Sequence, residues 1–135
     1  MLAKSAGFKG VEAAFPYDIE KNSLVEIKEK SGLEQILLNT YPGKSLGFAS
    51  LENKEKDFME SLKRSIGYCK ALKCKRLHIM SGLQDNSNAS ENVLINNLAN
   101  ALPLLMEADI VGLIEPINSH SVPNYFLNTF ELGEY

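Results

Sequence analysis

"IVGLIEPI", residues 110–117, is an apolar run that ends in a carboxylate held against a proline. Read as a buried strand, it should carry no charge at that point. A lone buried carboxylate is costly unless it is paired, neutralised or bound to a metal. Glu115 therefore asks for a particular setting at the strand's end, and the rest of the chain must supply it.

Upstream of this run, short apolar stretches alternate with longer amphipathic ones. GVEAAF (10–15) reads as a first strand. SLVEIKEKSG follows as a helix, with Ser23 and Glu26 in a capping-box pattern and Gly32 as its stop. LEQILLNT (33–40) is the second strand, and Pro42, Gly43 and Gly47 mark a loop. A helix over about 54–72 then carries Phe58, Leu62, Ile66, Cys69 and Leu72 on one stripe. KRLHIM (75–80) is the third strand, closed by Ser81-Gly82. The polar loop LQDNSNAS leads to a helix over about 90–108, with Leu94, Leu98, Leu102 and Leu105 on one face. Pro103 should kink or divide that helix, because it removes a backbone donor and clashes with the preceding turn. IVGLIEPI is then the fourth strand, and NTFELGEY reads as the opening turns of one more helix.

The composition fits this single pattern. The chain has 135 residues, 44% hydrophobic and 23% charged, with a net charge of -3. Those values suit one ordinary folded domain. They give no electrostatic case for nucleic acid or an anionic membrane as partner. No apolar run is long enough to span a bilayer, and MLAKSAGFKG lacks the core of a signal peptide. The chain is expected to be cytoplasmic. Cys69 and Cys74 lack the second Cys/His pair of a zinc site and are read as core residues. The Asn88-Ala89-Ser90 sequon is read as chance.

Four βα units in series imply parallel strands and right-handed crossovers. Two architectures are compatible: an open doubly wound sheet, or part of a (β/α)8 barrel, which in full needs roughly 250 residues. In a barrel, alternate residues point inward and active-site groups sit at the C-terminal strand ends. By that parity Gly10, Glu12 and Ala14 share the inner face with Gln35, Leu37 and Asn39. Arg76, His78 and Met80 join them, with Val111, Leu113 and Glu115. The other face, including Val11, Ile36, Leu38, Leu77, Ile79 and Gly112, is apolar or small. Glu12, Asn39, His78 and Glu115 thus fall on one inward face and suggest a site. Plainer roles exist for three of them: a solvated rim for Glu12, a turn for Asn39, a satisfied core position for His78. Solubility does not explain Glu115. His120 reads as a rim residue.

The blocks GVEAAFPY, ILLNTYPG, YCKALKCKRLHIMSG and VGLIEPIN…PNYFLNT resemble successive blocks of the hydroxypyruvate isomerase family, within the xylose-isomerase-like TIM barrels. The resemblance runs along nearly the whole chain. It implies an α/β fold in which residues 1–135 form a single partial TIM-barrel domain, truncated at both ends. The four parallel strands would be the second to fifth of eight. It also implies interconversion of hydroxypyruvate and 2-hydroxy-3-oxopropanoate by two glutamates that donate and accept a proton. The first of these aligns with Glu115. Asn39, His78, Glu12 and Asn118 become candidates for contact with a small hydroxy-keto acid. Many relatives use a divalent metal, Mg or Mn, for which Glu115 is a possible ligand. The remaining ligands and the second glutamate belong to later strands in the family, so this chain alone is expected to turn over little and to self-associate through its open half-barrel. A ketose-epimerase-like activity and a non-catalytic half-barrel are the alternatives. A stand-alone ligand-binding domain lacks any G-x-G-x-x-G or P-loop pattern.

Overall fold

In the computed structural model, which describes residues 2–84 and 88–134, α1 (Leu2–Ser5) leads into β1 (Gly10–Ala13). Then come α2 (Lys21–Ser31), β2 (Glu34–Asn39), α3 (Glu55–Leu72), β3 (Arg76–His78), α4 (Glu91–Glu107) and β4 (Val111–Leu113). The strands form one parallel sheet in the order β1-β2-β3-β4. Sequential order without reversal is what a barrel wall requires, and it removes the doubly wound alternative, whose order reverses at a switch point. The centre of the polar loop, residues 85–87, lies outside the described residues.

Register decides which side chains share a face. Leu38 is level with Leu77, and Leu77 with Gly112. Leu38 and Leu77 are fully buried in the main core, together with Phe58, Leu62, Cys69 and Leu72 of α3 and Leu94, Ala101 and Leu105 of α4. Gly112 is part of the same layer, because a Cβ there would stand 2.9 Å from Leu105 and 3.1 Å from Ile79. Helices therefore cover this face. On the other face Val111 and Leu113 are exposed.

The simple alternation fails at the base of the first two strands. The register shifts between Val11 and Glu12, so that Val11 stands opposite Gln35 while Glu12 stands opposite Leu37. Gly10 lies directly beneath the Ile36 side chain. Gly10, level with Glu34, therefore does not share a face with Gln35, contrary to the parity assignment. The reason is a bulge, in which one extra residue on a strand displaces everything on one side of it.

The helices show three further departures. α2 starts at Lys21, behind Glu20, which makes no side-chain cap. Ser23 therefore lies inside the first turn and does not cap it. The start is set instead by the segment before it, where Tyr17 is buried and Tyr68 donates to the Ile19 carbonyl at 3.0 Å. Gly32 does end α2, at φ 61°. α4 begins behind Ser90, whose hydroxyl accepts from Val93 N–H at 3.3 Å, and runs undivided through Pro103. Ala99, Leu102 and Pro103 all face solvent, so the Ala99 carbonyl that Pro103 leaves without a donor can bond to water. The buried stripe of α4 is Leu94, Asn97, Ala101 and Leu105, with Leu102 exposed. Asn97 is on it because its amide donates to the Ala49 carbonyl at 2.9 Å. The C-terminal segment forms a single 3-10 turn, Glu131–Gly133.

Above the strand ends the loops touch through their backbones. Gly47 and Ser81 form an isolated antiparallel bridge, and Ser50 N–H bonds the Ser81 carbonyl at 2.9 Å. Gly47 (φ 112°) has no room for a side chain, because a Cβ would press into the Met80 carbonyl. Gly82 (φ 113°) is equally confined, because a Cβ there would stand 2.9 Å from the Gly47 carbonyl oxygen. Gly47→Ala is expected to cost at least roughly 1–3 kcal/mol, the range for one strained backbone position. Gly7→Ala, at φ 88° but with nothing within 4 Å of the new Cβ, should cost less. Urea unfolding of the two variants measures the difference.

Candidate functional site

β2, β3 and β4 place three of the predicted residues together. Asn39 ends β2 and is level with His78, which ends β3. His78 is level in turn with Leu113, and Glu115 follows two residues later on the same side. The His78 Nδ1 atom lies 3.3 Å from Asn39 Oδ1 and 3.6 Å from Glu115 Oε2. Both neighbours are acceptors, so Nδ1 is the nitrogen that carries the proton. In the neutral ring this leaves Nε2 as an acceptor. It is buried and has no hydrogen-bond partner.

Burial holds the His78 pKa below its ordinary value, and the Glu115 carboxylate opposes that shift. The His78 side chain is 3% exposed, whereas Glu115 is 65% exposed. The site is thus a neutral imidazole sunk in the strand end with a solvated carboxylate beside its mouth.

Its supports come from residues that sequence reasoning did not single out. The Tyr17 hydroxyl donates to the Asn39 carbonyl and lies 3.0 Å from Ser65 Oγ. The Ser65 hydroxyl also accepts from Tyr41 N–H at 2.8 Å, which ties the end of β2 to α3. Thr40 Oγ1 accepts from Met80 N–H at 3.1 Å across the β2–β3 ends. On the far side Tyr125 is buried, and its hydroxyl accepts from Ser81 N–H at 2.9 Å. Burial, with a smaller push from Glu115, raises the Tyr125 pKa. These residues carry no spacing signal, because their partners lie far away in the chain. The aromatic residues of FPY and NYFL are the signal that could have pointed to anchors there.

Glu12 is exposed and level with Leu37, one step below the row of Asn39 and His78. Asn118 is also exposed, and its Oδ1 accepts from His120 N–H at 3.1 Å and Ser121 N–H at 2.9 Å, an Asx turn that shapes the loop after β4. His120 is exposed in that same loop. Among the described residues no three His, Cys, Asp or Glu side chains gather closely enough to hold a metal ion. Glu115 with His78 is two groups at most, so the described residues do not by themselves fit a divalent cation. No helix among them is long and apolar enough to cross a membrane.

A sequential parallel sheet with its polar groups at the C-terminal strand ends is the arrangement of a (β/α)8 wall. The model of the xylose isomerase-like TIM barrel family matches residues 1–134. The chain belongs to that family. It is 33% identical to the hydroxypyruvate isomerase of Escherichia coli, over 93% of this chain and 51% of that protein. It is 34% identical to the 2-oxo-tetronate isomerase of Cupriavidus necator, over 98% of this chain and 54% of the relative. A Brucella melitensis crystal structure described as an AP endonuclease of family 2 superposes with a TM-score of 0.89 at 33% identity. The match covers 98% of this chain and 55% of that one. The chain spans about half the length of the relatives it matches. Its three βα units and fourth strand therefore correspond to about half of a TIM barrel.

The His78–Glu115 contact has a measurable sign. A histidine whose folded pKa is depressed adds stability above its unfolded value, and that stability is lost as pH falls through the folded value. Stability should therefore decline as pH drops from 6.5, the ordinary histidine value, through the lower folded value. Glu115→Gln removes the one opposing influence and should lower the His78 pKa further. NMR titration of the imidazole measures this directly. An unchanged or higher pKa in the variant would show that the two groups do not interact.

Proposed function

We propose that this chain carries one proton-transfer group of an isomerase acting on a short hydroxy-keto acid, with hydroxypyruvate as substrate and Glu115 as the acid/base. The observation that carries the reading is the meeting of Glu115, His78 and Asn39 at the strand ends. The names of relatives at 33% and 34% identity support the reaction class.

The chemistry follows from these groups. To move the carbonyl of hydroxypyruvate, a base takes a proton from C3 while the C2 oxygen gains one, giving an enediol. A proton then returns to C2, and the C3 hydroxyl gives up its own to become the aldehyde of 2-hydroxy-3-oxopropanoate. In this reading Glu115, solvated yet beside a dry imidazole, takes the C3 proton. His78 holds its ring between Asn39 and Glu115 and orients the carboxylate. Among the described residues no second carboxylate pairs with this trio, so net conversion by this chain is expected to be slow even where proton removal is not.

Solvent exchange separates those two steps, because one base can take and return the same proton. In D2O the chain is expected to speed deuterium entry at C3 of hydroxypyruvate, read by NMR. Glu115→Gln should reduce this by about 10²-fold or more, the usual contribution of a positioned acid or base. Equal exchange in the two proteins would remove Glu115 from the reaction. A four-carbon 2-oxo acid, tested in parallel because of the Cupriavidus relative, sets the chain length that the site accepts.

A further inference from the structure

The isomerase reading makes no use of the two cysteines, yet the fold brings them together. Cys69 is in the last turn of α3, and Cys74 opens the segment that becomes β3. Between them Lys73 adopts the left-handed conformation, φ 54°. Cys74 N–H then reaches back to the Cys69 carbonyl at 2.9 Å, the six-to-one bond of a Schellman motif. That bond brings the residues on either side of the cap into contact. Where most helices place two apolar side chains, this one places two thiols. A disulfide spans roughly 4.4–6.8 Å between Cα atoms, and the backbone bond from Cys74 N–H to the Cys69 carbonyl keeps the two residues near each other. Both cysteines are free and buried, while Lys70 and Lys73 on the same turn are exposed.

We propose that Cys69 and Cys74 form a reversible dithiol–disulfide couple that responds to hydroperoxides and, when oxidised, staples the end of α3 to the start of β3. The thiols are chemically unequal. The neighbouring Cys74 and burial hold the Cys69 pKa up, while Cys69 draws that of Cys74 down against burial, and the Cys74 thiol donates to the Arg76 carbonyl at 3.2 Å. Cys74 is therefore the attacking sulfur and Cys69 the resolving one. Cys74 thiolate attacks the peroxide oxygen, breaks the O–O bond and becomes a sulfenic acid, with one water leaving after protonation. The Cys69 sulfur then attacks Cys74, forms the S–S bond and expels a second water. Two thiols lose two electrons and two protons, and the peroxide is reduced to two waters. A small oxidant is required, because both thiols are buried, Cys69 at 0% and Cys74 at 1% exposure. The closed loop is short, so the bond should change global stability little. Its effect is to hold the approach to β3, the strand that carries His78.

The test treats the native chain with hydrogen peroxide, followed by intact mass, thiol counting after denaturation, and tryptic mapping. Trypsin cuts after Lys70 and Lys73, so only a covalent S–S bond keeps the two cysteine peptides together. The expected result is loss of two hydrogens and of both thiols together, a cross-linked Cys69–Cys74 peptide, and full recovery with dithiothreitol. Cys69→Ala should stop at a Cys74 sulfenic acid that dimedone traps, while Cys74→Ala should react at least ten-fold more slowly than the wild type. Both thiols surviving peroxide that oxidises the exposed methionines, or disulfide linkage between two chains, would overturn the proposal. So would sulfinic acid on one cysteine with the other still free. The wild-type masses decide this without the variants, should either fail to fold.

Discussion

A parallel strand has two faces, and in this chain α3 and α4 cover only one of them. That constraint organises the rest of the molecule. Leu38, Leu77 and Ile79 must point into the helical layer, where they are almost wholly buried. Asn39, His78 and Glu115 alternate with residues of that layer and are turned to the opposite side. The level pairing of Asn39 with His78 then sets the height at which they meet. A slip of one residue would send the site into the core and the leucines into solvent.

The same alternation explains the unequal environments of the three groups. His78 ends its strand almost wholly buried, and that burial holds its pKa below the ordinary histidine value. Glu115 lies beyond the end of β4, where the chain has left the ladder, and its carboxylate stays solvated. The exposed carboxylate avoids most of the desolvation cost that a buried one would meet.

Tyrosines brace the strand ends. Tyr17 packs edge-on against Tyr41 and Tyr68, with ring centroids 5.5 and 5.0 Å away. The Arg64 guanidinium lies 4.0 Å over the Tyr41 ring and donates to the Tyr17 carbonyl at 2.9 Å. Tyr17 follows β1, Tyr41 follows β2, and Arg64 and Tyr68 belong to α3. This cluster therefore binds two strand ends to one helix and stiffens the platform on which Asn39 stands.

The sequence by itself determined the element order, the parallel pairing, and the shared face of Asn39, His78 and Glu115. Each of these follows from local periodicity: 3.6 in α3, 2 in the strands, and a charge placed where an apolar run ends. It also placed both cysteines in the core, through the helical stripe on which Cys69 lies. Only the tertiary structure decided the bulge beside Glu12, the start of α2, the course of α4 through Pro103, and the exposure of Leu102. It alone revealed Tyr17, Thr40, Ser65 and Tyr125 as supports of the site, and the contact between the two thiols. Those features depend on which distant segments meet: a register shift needs a neighbouring strand, a helix start depends on where Tyr17 is anchored, and Pro103 is tolerated because its side of α4 faces water. Periodicity reports which way a side chain points, whereas its partner is set by packing between segments far apart in the chain.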